Sequence, residues 1–168
     1  MKNILSLIAV FFITAPTYAQ EYSKKDQKAI DKGKAAITKT YDEFDDMTTW
    51  RSPLLKNISF TKVERGETMV MYLRISANGG TLNVREKGLT VIFEDGSRFE
   101  RPAAEIDAKA SSGYGWNYTA FESVNEEEVS LFATKKVKAY KLFIYEGALY
   151  GKDALFTMGY AQGILESK

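Results

Sequence analysis

Three aromatic rings, Tyr114, Trp116 and Tyr118, occupy alternate positions in SSGYGWNYTAF (111–121), with Gly115, Asn117 and Thr119 on the remaining positions. Exposed Tyr and Trp rings stack on the C–H faces of pyranose sugars, and a neighbouring Asn can read hydroxyl groups. That chemistry makes Tyr114, Trp116, Asn117 and Tyr118 binding candidates, with Trp50 joining them from another strand. The same alternation also describes one buried face of an ordinary strand, because aromatic side chains fit strands and hide a large apolar area. On that second reading, which the pattern favours, Asn117 and Thr119 mark the solvent side.

Carboxylates are the other residues with chemistry to offer. A glycosidase needs two acids about 5–10 Å apart across a sugar. Glu100, Glu105 and Asp107 are close in sequence, and Asp42 or Glu122 could join them in space. With 22 acids in the chain, such neighbours arise by chance, so no catalytic residue is assigned. The group Asp42, Glu43, Asp45 and Asp46 has oxygen ligands for calcium but lacks the Asp-x-Asp-x-Asp-Gly spacing of an EF-hand. A solvated bend that blunts a sheet edge accounts for it better, and no metal site or cofactor is expected. Ser111 and Ser112 beside Lys109 match a Ser–Lys pair only superficially, in a small-residue linker.

Composition removes whole classes of activity. The chain has no histidine and no cysteine. That rules out a His-based triad, a thiol nucleophile, a disulfide and any His- or Cys-ligated zinc, copper or haem. Carboxylate acid–base chemistry, Lys or Tyr bases and oxygen-ligated ions remain.

The N-terminal MKNILSLIAVFFITAPTYA has a positive residue, Lys2, an apolar run from Ile4 to Ile13 and the small-residue end at Ala19. This is the order of a secretory signal peptide, with cleavage expected after Ala19. The run is shorter than the roughly 20 apolar residues that a membrane crossing needs. Losing Lys2 leaves 22 cations to balance the 22 acids, so no overall field draws the exported chain to nucleic acid. The remainder falls within the size of one domain.

Residues 20–36 read as a polar, lysine-rich leader or short helix, with Ser23 capping toward Asp26. From residue 37 to 168 the texture is that of a single β-rich domain. Strands are expected at 37–44, 48–52, 57–63, 68–76, 81–86, 89–95, 105–109, 114–121 and 137–145. In TMVMYLRIS (68–76), Met69, Met71, Leu73 and Ile75 share one face, while Val70, Tyr72 and Arg74 share the other. Asp95-Gly96 marks a hairpin, and Pro102 is expected to close it. Ser123 stands three residues before Glu126, which predicts a capping box and a short helix. Asp153 is expected to cap a C-terminal helix in which Leu155, Met158, Gln162 and Leu165 share a face.

Several of these segments, YDEFDD (41–46), Thr49-Trp50 and MYLRI (71–75), resemble small exported or phage-borne bacterial proteins of unknown function. The likeness continues through the Asp-Gly hairpin, the short acidic helix and VKAYKLFIY before the terminal helix. What the resemblance implies is a shared compact β fold, with no activity attached.

Short strands at 8–12-residue spacing and helices that do not alternate with them predict a mainly β fold: an antiparallel β-sandwich with a short internal helix and a C-terminal helix. The function expected is that of an exported, non-catalytic binding or structural module whose partner is a protein or a glycan. The alternatives are a small carboxylate-dependent hydrolase acting on glycan or cell-wall material, and a calcium-stabilised adhesin-like module.

Overall fold

A computed structural model describes residues 22–54, 57–113 and 115–168. The expected leader and its cleavage point, and the ring of Tyr114, lie outside the described residues.

The chain opens with α1 (Lys24–Lys34), whose first turn is capped as the sequence predicts: the Asp26 amide donates to Ser23 Oγ at 3.1 Å. Among the described residues nine strands follow: β1 (Thr38–Asp42), β2 (Met47–Arg51), β3 (Ile58–Arg65), β4 (Thr68–Gly79), β5 (Lys87–Phe93), β6 (Arg98–Ala110), β7 (Trp116–Val124), β8 (Val137–Leu142) and β9 (Tyr145–Ala148). The short helix α2 (Glu126–Thr134) lies between β7 and β8, and α3 (Lys152–Glu166) closes the fold.

The fold is mainly β, and every strand pairing is antiparallel. The strands form one sheet in the order β1-β2-β3-β4-β7-β6-β5-β8-β9. The sheet bends at β6. The first part of that 13-residue strand pairs with β5 and the last part with β7. The pairing slips between Lys87↔Glu105 and Leu89↔Arg101, placing Pro102 in a bulge where its missing N–H leaves no ladder bond unmade. Gly88, at φ +108°, supplies the backbone turn on the opposite strand. The bend carries β8 and β9 back against β4, an arrangement compatible with the expected sandwich.

Local chemistry moves several expected boundaries. Pro102 does not end a strand, because the bulge absorbs it. Residues 81–86 make no strand and cross between β4 and β5 as a loop. The segment 137–145 is two strands, β8 and β9, turned at Phe143, whose φ is +53°. The capping box of α2 belongs to Asn125 and Glu128: the Glu128 amide donates to Asn125 Oδ1 at 2.9 Å, and the Asn125 amide donates to Glu128 Oε2 at 3.1 Å. An amide oxygen nearer the first helical turn outcompetes Ser123, which stays within β7. Gly151 takes the N-cap position of α3, with Asp153 already inside the first turn.

The core lies between the concave side of the bent sheet and the helices. Met71, Leu73, Ile75 and Ala77 of β4 point into it, as do Tyr118, Ala120 and Val124 of β7. Phe132 of α2 is the hub. Its ring meets Phe60, Phe93 and Phe99 edge-on at 5.4, 5.3 and 5.4 Å, joining three strands to one helix. Helices α1 and α3 approach closely because Gly33 faces Gly159: a Cβ on Gly159 would lie 2.1 Å from the Ile30 carbonyl oxygen. Gly159 and Gly163 weaken α3 as an isolated helix, yet both lie against α1, where a Cβ on Gly163 would meet the Lys34 carbonyl oxygen at 3.0 Å.

Candidate functional site

The helices and the returning strands cover one side of the β3-β4-β7-β6 region and leave the other side open. Strand parity sorts the residues. In β4 the side chains of Tyr72 and Arg74 point away from the core, and in β7 those of Asn117, Thr119 and Phe121 do the same. Register then makes neighbours of them: Arg74 is opposite Phe121, Ser76 opposite Thr119 and Asn78 opposite Asn117. On the far side of β7, Asp107 is opposite Thr119 and Lys109 opposite Asn117.

The result is a shallow depression of about 320 Å³ lined by Arg74, Asp107, Lys109, Asn117 and Thr119. Beside it, Tyr72 and Phe121 stack with ring centroids 4.8 Å apart and planes 20° apart. Phe121 is 55 % exposed, so it presents ring surface to solvent. Asn117 Oδ1 accepts the Thr119 hydroxyl at 3.1 Å, which fixes the amide and leaves its NH₂ directed elsewhere. Among the described residues, Arg74, Asp107 and Lys109 have no hydrogen-bonding or ion-pair partner through their side chains. The site therefore combines an aromatic plate, two cations, one carboxylate and one amide donor on a rigid sheet.

Of the binding candidates read from the sequence, Asn117 lines this depression, joined by Asp107 and Lys109 from the catalytic candidates. Tyr118 is 1 % exposed on the opposite face of β7. Its ring stacks on Tyr145 at 4.0 Å, and both hydroxyls donate to the Thr81 carbonyl. The Asn83 amide donates back to the Tyr118 hydroxyl at 2.9 Å, so the pair ties the 81–86 loop to the sheet. The Tyr145 hydroxyl is pushed above its usual range, chiefly by its hydrogen bond with Tyr118. Trp116 is half-buried against the core.

Trp50 is 4 % exposed on the concave side of β2. Lys39 and Lys62 flank its ring at 4.9 and 5.0 Å, and both ammonium groups donate to carbonyls at the end of α3, those of Lys168 and Ser167. That is an anchor for the helix end, with no ring face left for a ligand.

Glu105 and Asp107, two residues apart on β6, share its exposed face. Glu100 faces Arg98 and Glu105 faces Lys87, each at 3.5 Å. By strand parity Glu122 and Asp107 lie on opposite sides of the sheet. Asp42 is on β1, five strand spacings from β6, or about 24 Å. In the 42–46 bend three of the four acids have separate partners: Asp42 accepts from the Phe44 amide at 2.9 Å, Asp46 accepts from the Tyr41 hydroxyl at 2.9 Å, and Asp45 pairs with Arg65 at 3.5 Å. Among the described residues no group of three acids is placed to hold a metal ion. A second open depression of about 430 Å³ lies along this β1–β2 hairpin, lined by residues including Tyr41, Phe44 and Arg51.

The residues that sequence reasoning did not single out for a site are Tyr72, Arg74 and Phe121, while Asp107 and Lys109 were considered only for catalysis. Period-2 parity had put Tyr72 and Arg74 on a shared outer face. What parity could not supply was the pairing of β4 with β7, two strands separated by the β5–β6 hairpin.

Comparison with protein-family models, with curated proteins and with solved structures gives no match in any of the three.

Proposed function

We propose that this chain is an exported, non-catalytic binding module that holds a glycan on the uncovered face of its sheet. The stacked Tyr72–Phe121 pair beside the polar depression carries this reading. A pyranose ring laid on Phe121 would hide its apolar C–H face, while Asn117 and Asp107 lie within the same depression to exchange hydrogen bonds with its hydroxyls. The rigid strands support binding without rearrangement, since side chains on paired strands lose little freedom when a ligand arrives. The leader-like order of residues 1–19 supports export.

The carboxylates favour binding over hydrolysis. A general acid needs a raised pKa. The carboxyls with clear shifts move the other way. Asp95 is held at about 2 by Lys135 and Ser97. Burial pushes Glu128 up, but Arg101 and the Asn125 amide outweigh it and leave it lowered. Both sit away from the depression.

A glycan-array screen with the purified protein and with Phe121→Ala tests the proposal. Binding that is lost in Phe121→Ala and retained in Tyr41→Ala on the β1–β2 hairpin is the expected outcome. No binding to any glycan, or binding abolished by Tyr41→Ala instead, would refute it.

A further inference from the structure

Resting on that reading, the charges around the depression narrow the ligand class. We infer that the glycan is acidic, built from sugars bearing a ring carboxylate, and that Arg74 and Lys109 receive the carboxylate.

Two cations at the depression have no ion-pair partner among the described residues. Arg74 is half-buried on the sheet surface, so its guanidinium has given up part of its hydration. Among the described residues it has no carboxylate in return. Lys109, across β7 on β6, is exposed at the other rim and likewise has no carboxylate partner among the described residues. Some cations elsewhere on the surface are paired, Lys62 with Glu64, Lys87 with Glu105, Arg98 with Glu100, Lys135 with Asp95 and Lys141 with Glu146, and others project singly into solvent. The depression is where two cations share a concave site and neither is matched.

Counting the lining groups sets the sign. Arg74 and Lys109 against Asp107 leave one net positive charge. Glu105, next along β6, is already engaged by Lys87. A neutral sugar would leave that charge uncompensated, whereas one carboxylate per bound ring cancels it. The planar guanidinium of Arg74 can take a carboxylate through two parallel N–H bonds, and the ammonium of Lys109 adds a point charge. Asp107, acceptor-only when ionised, then suits a hydroxyl of the same ring, with the Asn117 NH₂ as a further donor. Arg74 is directly opposite Phe121 across the β4–β7 ladder, which sets the charge beside the ring that would carry the pyranose.

The test measures affinity by titration calorimetry with oligosaccharides of galacturonate, of glucuronate and of mannuronate, each as the free acid and as its methyl ester. Esterification keeps the ring and removes only the charge. The acid form of at least one series should bind about ten-fold or more tighter than its ester, a preference that one charge-assisted pair can supply. Arg74→Gln and, separately, Lys109→Gln should each erase most of that preference, with circular dichroism confirming an intact fold. Raising salt from about 0.05 to 0.5 M should weaken the acid and leave the ester alone. Equal affinity for acid and ester, or binding of neutral glycans only, overturns this inference and leaves the glycan-binding reading standing. Binding to no glycan of either kind overturns both.

Discussion

Tyr72 and Phe121 stack at 4.8 Å on the side of the sheet that no helix covers, although they lie on strands far apart in sequence. Aromatic pairs usually enter a core, and this chain has one such hub in Phe132. The Tyr72–Phe121 stack, unlike the Tyr118–Tyr145 stack on the core side, presents an exposed ring to water, which leaves that ring open to a ligand.

Function and stability should therefore separate between two kinds of aromatic residue. Phe121→Ala removes an exposed ring and one cross-strand contact, which costs about 0.5–1 kcal/mol. Trp50→Ala empties a buried site between Lys39 and Lys62 and should cost about 3–5 kcal/mol. Urea unfolding reads both values. Glycan binding at a temperature where both variants are folded should fail in the first and persist in the second.

The contact between α1 and α3 makes an equally sharp prediction. Alanine in place of a helical glycine ordinarily gains up to about 1 kcal/mol. At Gly159 the added methyl would meet the Ile30 carbonyl oxygen at 2.1 Å and the Gly33 Cα at 2.9 Å. Backbone cannot yield as a side-chain tip can. Gly159→Ala should destabilise by about 1–3 kcal/mol of overpacking, measured by urea unfolding. A stabilised variant would mean that the two helices do not cross where the glycines put them.

Acid should act through the lowered carboxyls. Asp95, at the β5–β6 turn, has its pKa reduced from 3.8 to about 2 by Lys135 and Ser97. Its contribution is present in full above the unfolded-state value and is lost as pH falls from about 4 through 2, because the unfolded chain then binds the proton more readily. Glu128, also lowered, adds to the same trend. Asp95→Asn should be less stable than the parent at pH 6. The difference should shrink toward pH 2, followed as melting temperature against pH.

The architecture was legible to the extent that local rules decide it. Alternation in 68–76 sorted Met71, Leu73 and Ile75 from Tyr72 and Arg74, and Asp95-Gly96 closes its hairpin with the Phe93 amide on the Ser97 carbonyl at 3.0 Å. Ser23 capped its helix. Some misplacements were local, as at the caps of α2 and α3, and others depended on a neighbour distant in sequence. Pro102 reads as a stop, yet it is tolerated inside β6 because the slipped pairing with β5 leaves it no donor to supply. Tyr118 lies on the core face, as the favoured reading of the aromatic row expects, and Gly79 leaves room for the Tyr145 ring that stacks on it: a Cβ there would lie 2.1 Å from that ring. The depression was illegible for the second of these reasons. Arg74, Thr119 and Asp107 come from three strands, and only the β4-β7-β6 pairing order puts them side by side.

Amide chemical-shift mapping by NMR during titration with the acidic oligosaccharide that binds best puts the open sheet face to the most direct trial. Perturbations should concentrate at Arg74, Asp107, Lys109, Asn117, Thr119 and Phe121, leaving Trp50 and the β1–β2 hairpin unmoved. Shifts centred on that hairpin, or on the concave side around Tyr118, would contradict the account at its root.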